Sequence, residues 1–470
     1  MIFLLMLPAL IMLVFSFWDI NKSKYLFPIT SLLILIPSVR LFFLPKPYAL
    51  WGDYLVIDNL SAYIMLVSSI VAICVTLAVS TLDLHVKISK SENAKFYRFF
   101  AIFWIGLTVS ILANNMGVYW IGLETATLST VYMIKTNQTL AAKKEAWNYM
   151  IVGAIAISLI LFGIILIYAS AKPILGENAM SFSALLRSAK DIKSPFLFEI
   201  GFAITTLGMF IKMGFFPMNL WLANIERASF YPIAALFSGI LESAVIVGFF
   251  RFSKIASVIN HQHVFIFVFI YTTLTIFIVS FLIYRAKDFM RLFSLSGVEH
   301  MAIIALFWAS GGIFPALLHF GAHAFLKPAL FLSTGILESK GKYRIAGALK
   351  GYSGVKGKVF YFLTGLFLLA IVSVPPSPMF FSELYGFGAM INIAKVNKHL
   401  LLMIGAIIVL LGLLSIIFYK FVEIYQSMKY EGEEKQKVVY GNEVFALVIF
   451  ALSLVFLLTP WSFEFLRSIS

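Results

Sequence analysis

Between Phe314 and Leu337 an apolar run long enough to cross a bilayer carries His319, His323 and Lys327 at steps of four. Residues four apart lie near one helix face, and at a rise of about 1.5 Å per residue the three groups extend roughly 12 Å along the axis. A lysine near the bilayer centre costs about 3 kcal/mol on insertion scales, and Pro328, directly after it, removes a further backbone donor. The pattern points to a proton or ion path. The competing reading is that these side chains are retained as hydrogen-bonding glue between helices.

The rest of the chain agrees with a membrane setting. Its 470 residues are 61% hydrophobic and 12% charged, with a mean hydropathy of +0.96, which describes a polytopic membrane protein. A single cysteine, Cys74, excludes a disulfide framework and a self-contained iron–sulfur cluster, so any redox chemistry belongs to a partner. P-loop, dinucleotide-binding and HExxH signatures are missing, which leaves nucleotide binding and zinc-protease chemistry unsupported.

Fourteen apolar segments are read between residues 2 and 460, and the first is expected to stay in place because it lacks a basic n-region and a small-residue cleavage signal. Lys and Arg concentrate in the loops after odd-numbered segments, so the positive-inside rule puts those loops in the cytoplasm and both termini outside. The net charge of +14 is mostly this topology signal. Basic loops at 83–98 and 338–358, and the mixed loop around residues 430–437, are expected to meet headgroups and solvent.

Two segments are interrupted. In the seventh, Lys212 is followed by Gly214 and Pro217; in the twelfth, Pro375, Pro376 and Pro378 precede Glu383. They stand an odd number of spans apart, so the second is inverted in the bilayer relative to the first. Paired broken helices in inverted halves suggest a conduction route near the midplane, although proline can also simply kink a packed helix.

The fifth and tenth segments each carry a mid-helix carboxylate, Glu124 and Glu299. With Lys212 and Lys327 they give each half one acid and one base, a pair whose opening and closing could switch lysine protonation; a purely structural ion pair is the alternative. Glu242 and His300 are secondary candidates. His300 follows Glu299 directly and so points about 100° away on a helix, which suggests a structural role.

These residues resemble a known family: the antiporter-like, proton-pumping membrane subunits shared by respiratory complex I, group 4 membrane-bound hydrogenases with formate hydrogenlyase, and Mrp-type sodium/proton antiporters. The resemblance runs from about residue 97 to 425. It is carried by GLETATLSTVYMI, KMGFFPMNLWL, SGVEHMAIIAL, HFGAHAFLKPALFL and PPSPMFFSEL, and it looks nearest to the hydrogenase branch. It implies an all-α polytopic membrane protein of about 14 transmembrane helices, with two inverted five-helix repeats and broken seventh and twelfth helices. The corresponding domains are 1–96 (three N-terminal helices), 97–252 and 253–425 (the repeats) and 426–470 (a terminal helix).

It also implies that Glu124, Lys212, His319, His323, Lys327 and Glu383 carry ion translocation. Driving chemistry is then expected in partners: hydrophilic redox subunits with iron–sulfur clusters and a nickel–iron centre, beside further antiporter-like membrane subunits. The chain itself holds no cofactor or metal, binds no nucleic acid, and sits in the cytoplasmic membrane.

Two departures from the family pattern stand out. Ser243, beside Glu242, occupies the eighth-helix position where some relatives carry a lysine. WLANIERASFYP replaces a WLPDAH-like tract, lacking its proline and histidine and carrying Glu226 and Arg227 instead, so entry or gating there is expected to differ. Asp288 matches a family loop aspartate whose role the sequence leaves open. Two further readings remain: a redox-independent Mrp-type antiporter subunit, and a structural or inorganic-carbon-uptake membrane subunit that borrows the fold.

Overall fold

The computed structural model describes residues 2–18, 20–81, 90–338, 354–396, 404, 407–408, 410–414, 417–422 and 440–469. The loops expected at 83–98, 338–358 and 430–437, and the thirteenth apolar segment at 400–419, fall wholly or partly outside them. Among the described residues, seven helices are long and apolar enough to cross a bilayer, or eight if one bent pair is counted as a span. The chain divides into two compact units.

The first unit comprises Met1–Ser69, Ser89–Trp221 and Ile240–Ile270. Its helices Lys90–Leu112 and Met116–Ile134 pack so closely that a Cβ added at Gly122 would lie 2.6 Å from the Ser110 amide nitrogen. Small residues permit this approach in a membrane bundle, and it fixes the helix that carries Glu124. Met116–Ile134 starts on Asn115, whose side chain accepts from the amides of Gly117 and Val118. The 36-residue helix Leu140–Leu175 packs along Pro195–Lys212, where a Cβ at Gly208 would stand 2.6 Å from the Ala156 carbonyl oxygen.

Pro195–Lys212 stops at the expected interruption. Gly214 takes φ +72°, a left-handed conformation that glycine adopts without penalty, and the chain re-enters helix at Asn219. Trp221 Nε1 donates to the Ile211 carbonyl at 3.0 Å, a second bond beside the one that carbonyl accepts from the Gly214 amide, and so ties the re-entering helix to the end of the first.

The sequence reading expected helices alone, but this unit also holds a two-stranded antiparallel hairpin, Tyr48–Leu50 with Leu55–Ile57. Three-residue strands are too short to leave an alternating pattern. Trp51, Gly52 and Asp53 turn the hairpin at positive φ.

The second unit comprises Ile70–Ile88, Leu222–Gly239 and Tyr271–Ser470. Its centre is a helical hairpin, Phe289–Ala309 and Ile313–Glu338, the first buried along its whole length. Asp288 caps the first helix by accepting from the Arg291 amide at 2.9 Å, which gives the loop aspartate a structural role. Ile313–Glu338 continues through Pro328, and the short helix Tyr231–Leu236 packs against it. The second interruption separates Gly354–Ile371 from Pro378–Val396, with Ser373 at φ +59°.

Two details of the helices differ from expectation. The eighth and ninth segments are two helices, Tyr231–Asn260 and Gln262–Tyr284, as expected, but they meet at Asn260 with almost no loop between them. Asn260 leaves helical geometry at φ −154°, ψ 88°, and five residues of π-helix, Phe237–Leu241, precede Glu242. After Gly441–Leu457 the chain bends by 71° into Pro460–Ile469.

Candidate ion-translocation site

In the first unit Lys212 is buried at the last turn of its helix, and its Nζ donates to Thr127 Oγ1. Thr127 stands three residues after Glu124, on the same helix face. The Glu124 carboxylate and the Lys212 ammonium act on one another electrostatically, yet among the described residues no ion pair within 4.0 Å joins them. One Glu124 oxygen, Oε2, is buried without a hydrogen-bond partner among the described residues. The acid and base expected from the sequence thus stand near each other with the Thr127 hydroxyl holding the ammonium. Further along, Thr130 Oγ1 and the Tyr149 hydroxyl share a hydrogen bond of 3.1 Å, and the Tyr149 ring stacks on Trp221 at 5.1 Å. Thr127, Thr130 and Tyr149 were not singled out in the sequence, although the step of three from Glu124 marks Thr127.

Glu242 also belongs to this unit and is buried beside Ser243, where the π-helical turn gives way to α-helix.

The second unit gathers more groups. His300 Nδ1 and His319 Nε2 share a hydrogen bond of 3.0 Å, and His319 Nδ1 shares one of 2.8 Å with Ser382 Oγ. The His323 ring centroid lies 5.8 Å from that of His300. A Cβ added at Gly297 would lie 3.9 Å from His323 Nε2 and 4.0 Å from Lys327 Cε, so both side chains face that point of the neighbouring helix. Lys327 Nζ donates to the Phe293 carbonyl at 2.8 Å.

Glu299, His300 and Glu383 share a cavity of about 30 Å³ with Ser373, a volume on the scale of a single water molecule. Ser373 Oγ donates to Glu383 Oε1 at 2.6 Å, tying the carboxylate to the interrupted stretch. Both Glu299 oxygens are buried without a hydrogen-bond partner among the described residues.

The 100° offset from Glu299 turns His300 toward His319. Its helix is buried on every side, so an offset from Glu299 turns it toward another protein element and not toward lipid. Ser373 and Ser382 escaped the sequence reading, because an isolated serine in an apolar span carries little signal.

All these groups are proton donors, acceptors or both, and within each unit they are largely buried. Among the described residues no group of three or more His, Cys, Asp or Glu side chains is arranged to hold a metal ion. Fold and site together define a multi-pass helical membrane protein with a buried line of titratable groups.

Comparison with known proteins gives the family. Residues 113–422 match the family described as NADH:quinone oxidoreductase/Mrp antiporter, transmembrane. The hydrogenase-4 component F homolog of Methylacidiphilum infernorum is 29% identical over 373 residues, covering 77% of each chain. A Na(+)/H(+) antiporter subunit of Alkalihalophilus pseudofirmus is 26% identical over 406 residues, covering 83% of this chain and 76% of the other. Among solved structures, a chain of the archaeal membrane-bound sulfane sulfur reductase superposes with a TM-score of 0.81 at 20% identity, covering 99% of this chain and 95% of that one. The chain belongs to the NADH:quinone oxidoreductase/Mrp antiporter transmembrane family, as an antiporter-like membrane subunit.

Proposed function

We propose that this chain is the ion-translocating subunit of a multi-subunit, redox-driven membrane complex of the hydrogenase-like kind, moving protons or exchanging them for sodium ions. The observation that carries the reading is the buried line Lys327, His323, His300, His319 and Ser382, with Glu299 and Glu383 on a shared cavity. Hydrogen bonds join His300, His319 and Ser382, and the longer steps to His323 and Lys327 also run through the protein interior, away from lipid. Lys212 and Glu124 form the acid–base pair of the other unit. Glu242 is a further candidate there, taking up the function of the lysine that Ser243 replaces.

On the same reading the chain crosses the cytoplasmic membrane fourteen times with both termini outside. Two inverted five-helix repeats, 97–252 and 253–425, lie between an N-terminal part, 1–96, and a terminal helix within 426–470. Electrons stay in partner subunits holding iron–sulfur clusters and a nickel–iron centre. Coupling to this chain acts by shifting the equilibria of the acid–lysine pairs, each tenfold shift being worth about 1.4 kcal/mol. The similarity to a hydrogenase-4 component homolog supports the hydrogenase-like choice.

The similarity to a Na(+)/H(+) antiporter component favours a second reading, secondary exchange without a redox partner. Purifying the native complex in mild detergent and identifying its subunits and iron content decides between them. Iron-bearing hydrophilic partners are the expected result, and antiporter subunits alone, free of iron, would sink the redox reading.

A further inference from the structure

The tract that departs most from the family pattern, lacking the proline and histidine of WLPDAH and carrying Glu226 and Arg227 instead, sits within the second unit from Leu222 onward. Its two charges meet the same helix, Phe289–Ala309. The Arg227 guanidinium pairs with Asp288, the N-cap, at 3.7 Å, with the arginine largely exposed. Glu226 turns inward. It is 1% exposed, lies beside the Ser294 hydroxyl, and feels the charge of Lys327.

The neighbouring atoms restrict what this carboxyl can do. Ser294 Oγ already donates its proton to the Met290 carbonyl at 2.7 Å. The residue before it, Phe293, supplies the carbonyl that receives Lys327 Nζ. Glu226 and Lys327 therefore approach adjacent residues of one helix turn. Glu226 Oε2 is buried with no hydrogen-bond partner among the described residues. A carboxylate kept solely for packing is expected to satisfy its oxygens, because an unsatisfied buried charge is strongly destabilising. Arg227, held by Asp288, leads away from the core and leaves the lysine as the interior cation in range of Glu226.

We propose that Glu226 is a proton-exchanging partner of Lys327: its carboxylate accepts the proton that the ammonium releases and returns it in the reverse step. The exchange interconverts an ammonium–carboxylate pair and an amine–carboxylic acid pair, so protons balance. Among the described residues the two groups are not within 4.0 Å of each other, and the transfer requires Lys327 Nζ to leave the Phe293 carbonyl and approach the carboxylate. Net charge at the site is the same in both forms, and this suits a poorly solvated position. Glu226 then serves the Lys327 end of the line, as Glu299 and Glu383 serve the cavity by His300. The assignment rests on the translocation reading above.

The test uses the native complex in proteoliposomes, with ion flux driven by an imposed pH gradient and assembly checked by copurification. Glu226→Gln is expected to assemble and to lower flux at least about tenfold, the scale on which a lost proton carrier is felt, whereas Glu226→His, which retains a titratable group, recovers most of it. An assembled Glu226→Gln with normal flux, beside an inactive Lys327→Met, overturns this assignment and leaves the translocation reading standing. A Lys327→Met complex with normal flux overturns both. If Glu226→Gln does not assemble, Glu226→His decides: retained flux supports proton exchange, and an assembled but inactive histidine variant overturns it.

Discussion

His300 Nδ1 and His319 Nε2 stand 3.0 Å apart, and the remaining ring nitrogen of His319 meets Ser382 Oγ at 2.8 Å. Both nitrogens of His319 are thus engaged, one by a ring from the preceding helix and one by a hydroxyl beyond the second helix interruption. An imidazole held in this way can take a proton at one nitrogen and release one from the other without rotating.

His319→Ala removes this bridge and leaves His300 and Ser382 facing a small hole. A stability loss of about 1–3 kcal/mol is expected from the buried partners left unpaired, together with loss of ion flux. Thermal melting of the purified complex and flux in proteoliposomes measure the two effects separately. Retained flux in His319→Ala would show that protons bypass this ring.

In the other unit, Lys212→Met removes the donor to Thr127 and the base facing Glu124. Flux is expected to fall at least about tenfold with assembly intact. Thr127→Val retains the shape but not the hydroxyl, and its expected effect is smaller, a few-fold, since the lysine is loosened and not lost. Equal effects of the two variants would contradict the assignment of proton transfer to Lys212.

Ser373→Ala takes away the hydroxyl that donates to Glu383 at 2.6 Å. Because this bond is made to a carboxylate, its loss is expected to alter the Glu383 protonation equilibrium by about 1.5–3 kcal/mol and to slow flux accordingly. Ser373→Asn, which tolerates the left-handed conformation and still offers a donor, should retain more of the rate than Ser373→Ala. The comparison of the two variants separates the donor's contribution from that of the backbone at this left-handed position.

Gly122→Leu tests the scaffold without touching a titratable group. A side chain there meets the Ser110 backbone at 2.6 Å, so the two helices must separate, at an expected cost of about 1–3 kcal/mol or more. Lowered yield of assembled complex is the expected readout; wild-type yield and melting temperature would show that the helix pair is looser than the geometry requires.

Much of this was legible in the sequence because bilayers punish polar residues, which makes each buried ionisable group conspicuous. Glu124, Lys212, His319, His323 and Lys327 stand out for that reason, and Gly214 and the prolines before Glu383 mark the interruptions. What was not legible depends on relations between helices. The offset of His300 from Glu299 is a property of one helix, but the partner it meets is set by how Ile313–Glu338 packs beside it. The hydroxyls of Thr127, Ser373 and Ser382 are cheap to bury and so leave no mark. Glu226 looked like a departure from a pattern because its neighbour Lys327 lies far along the chain. The hairpin at Tyr48–Ile57 was missed through shortness alone.

The central claim is that ions cross through the buried line that contains Lys327. The most direct measurement is ion flux by the intact complex carrying Lys327→Met, reconstituted in sealed vesicles with a pH-sensitive dye inside. The account predicts full assembly with flux reduced to the level of empty vesicles. Flux equal to wild type in an assembled Lys327→Met complex would contradict it.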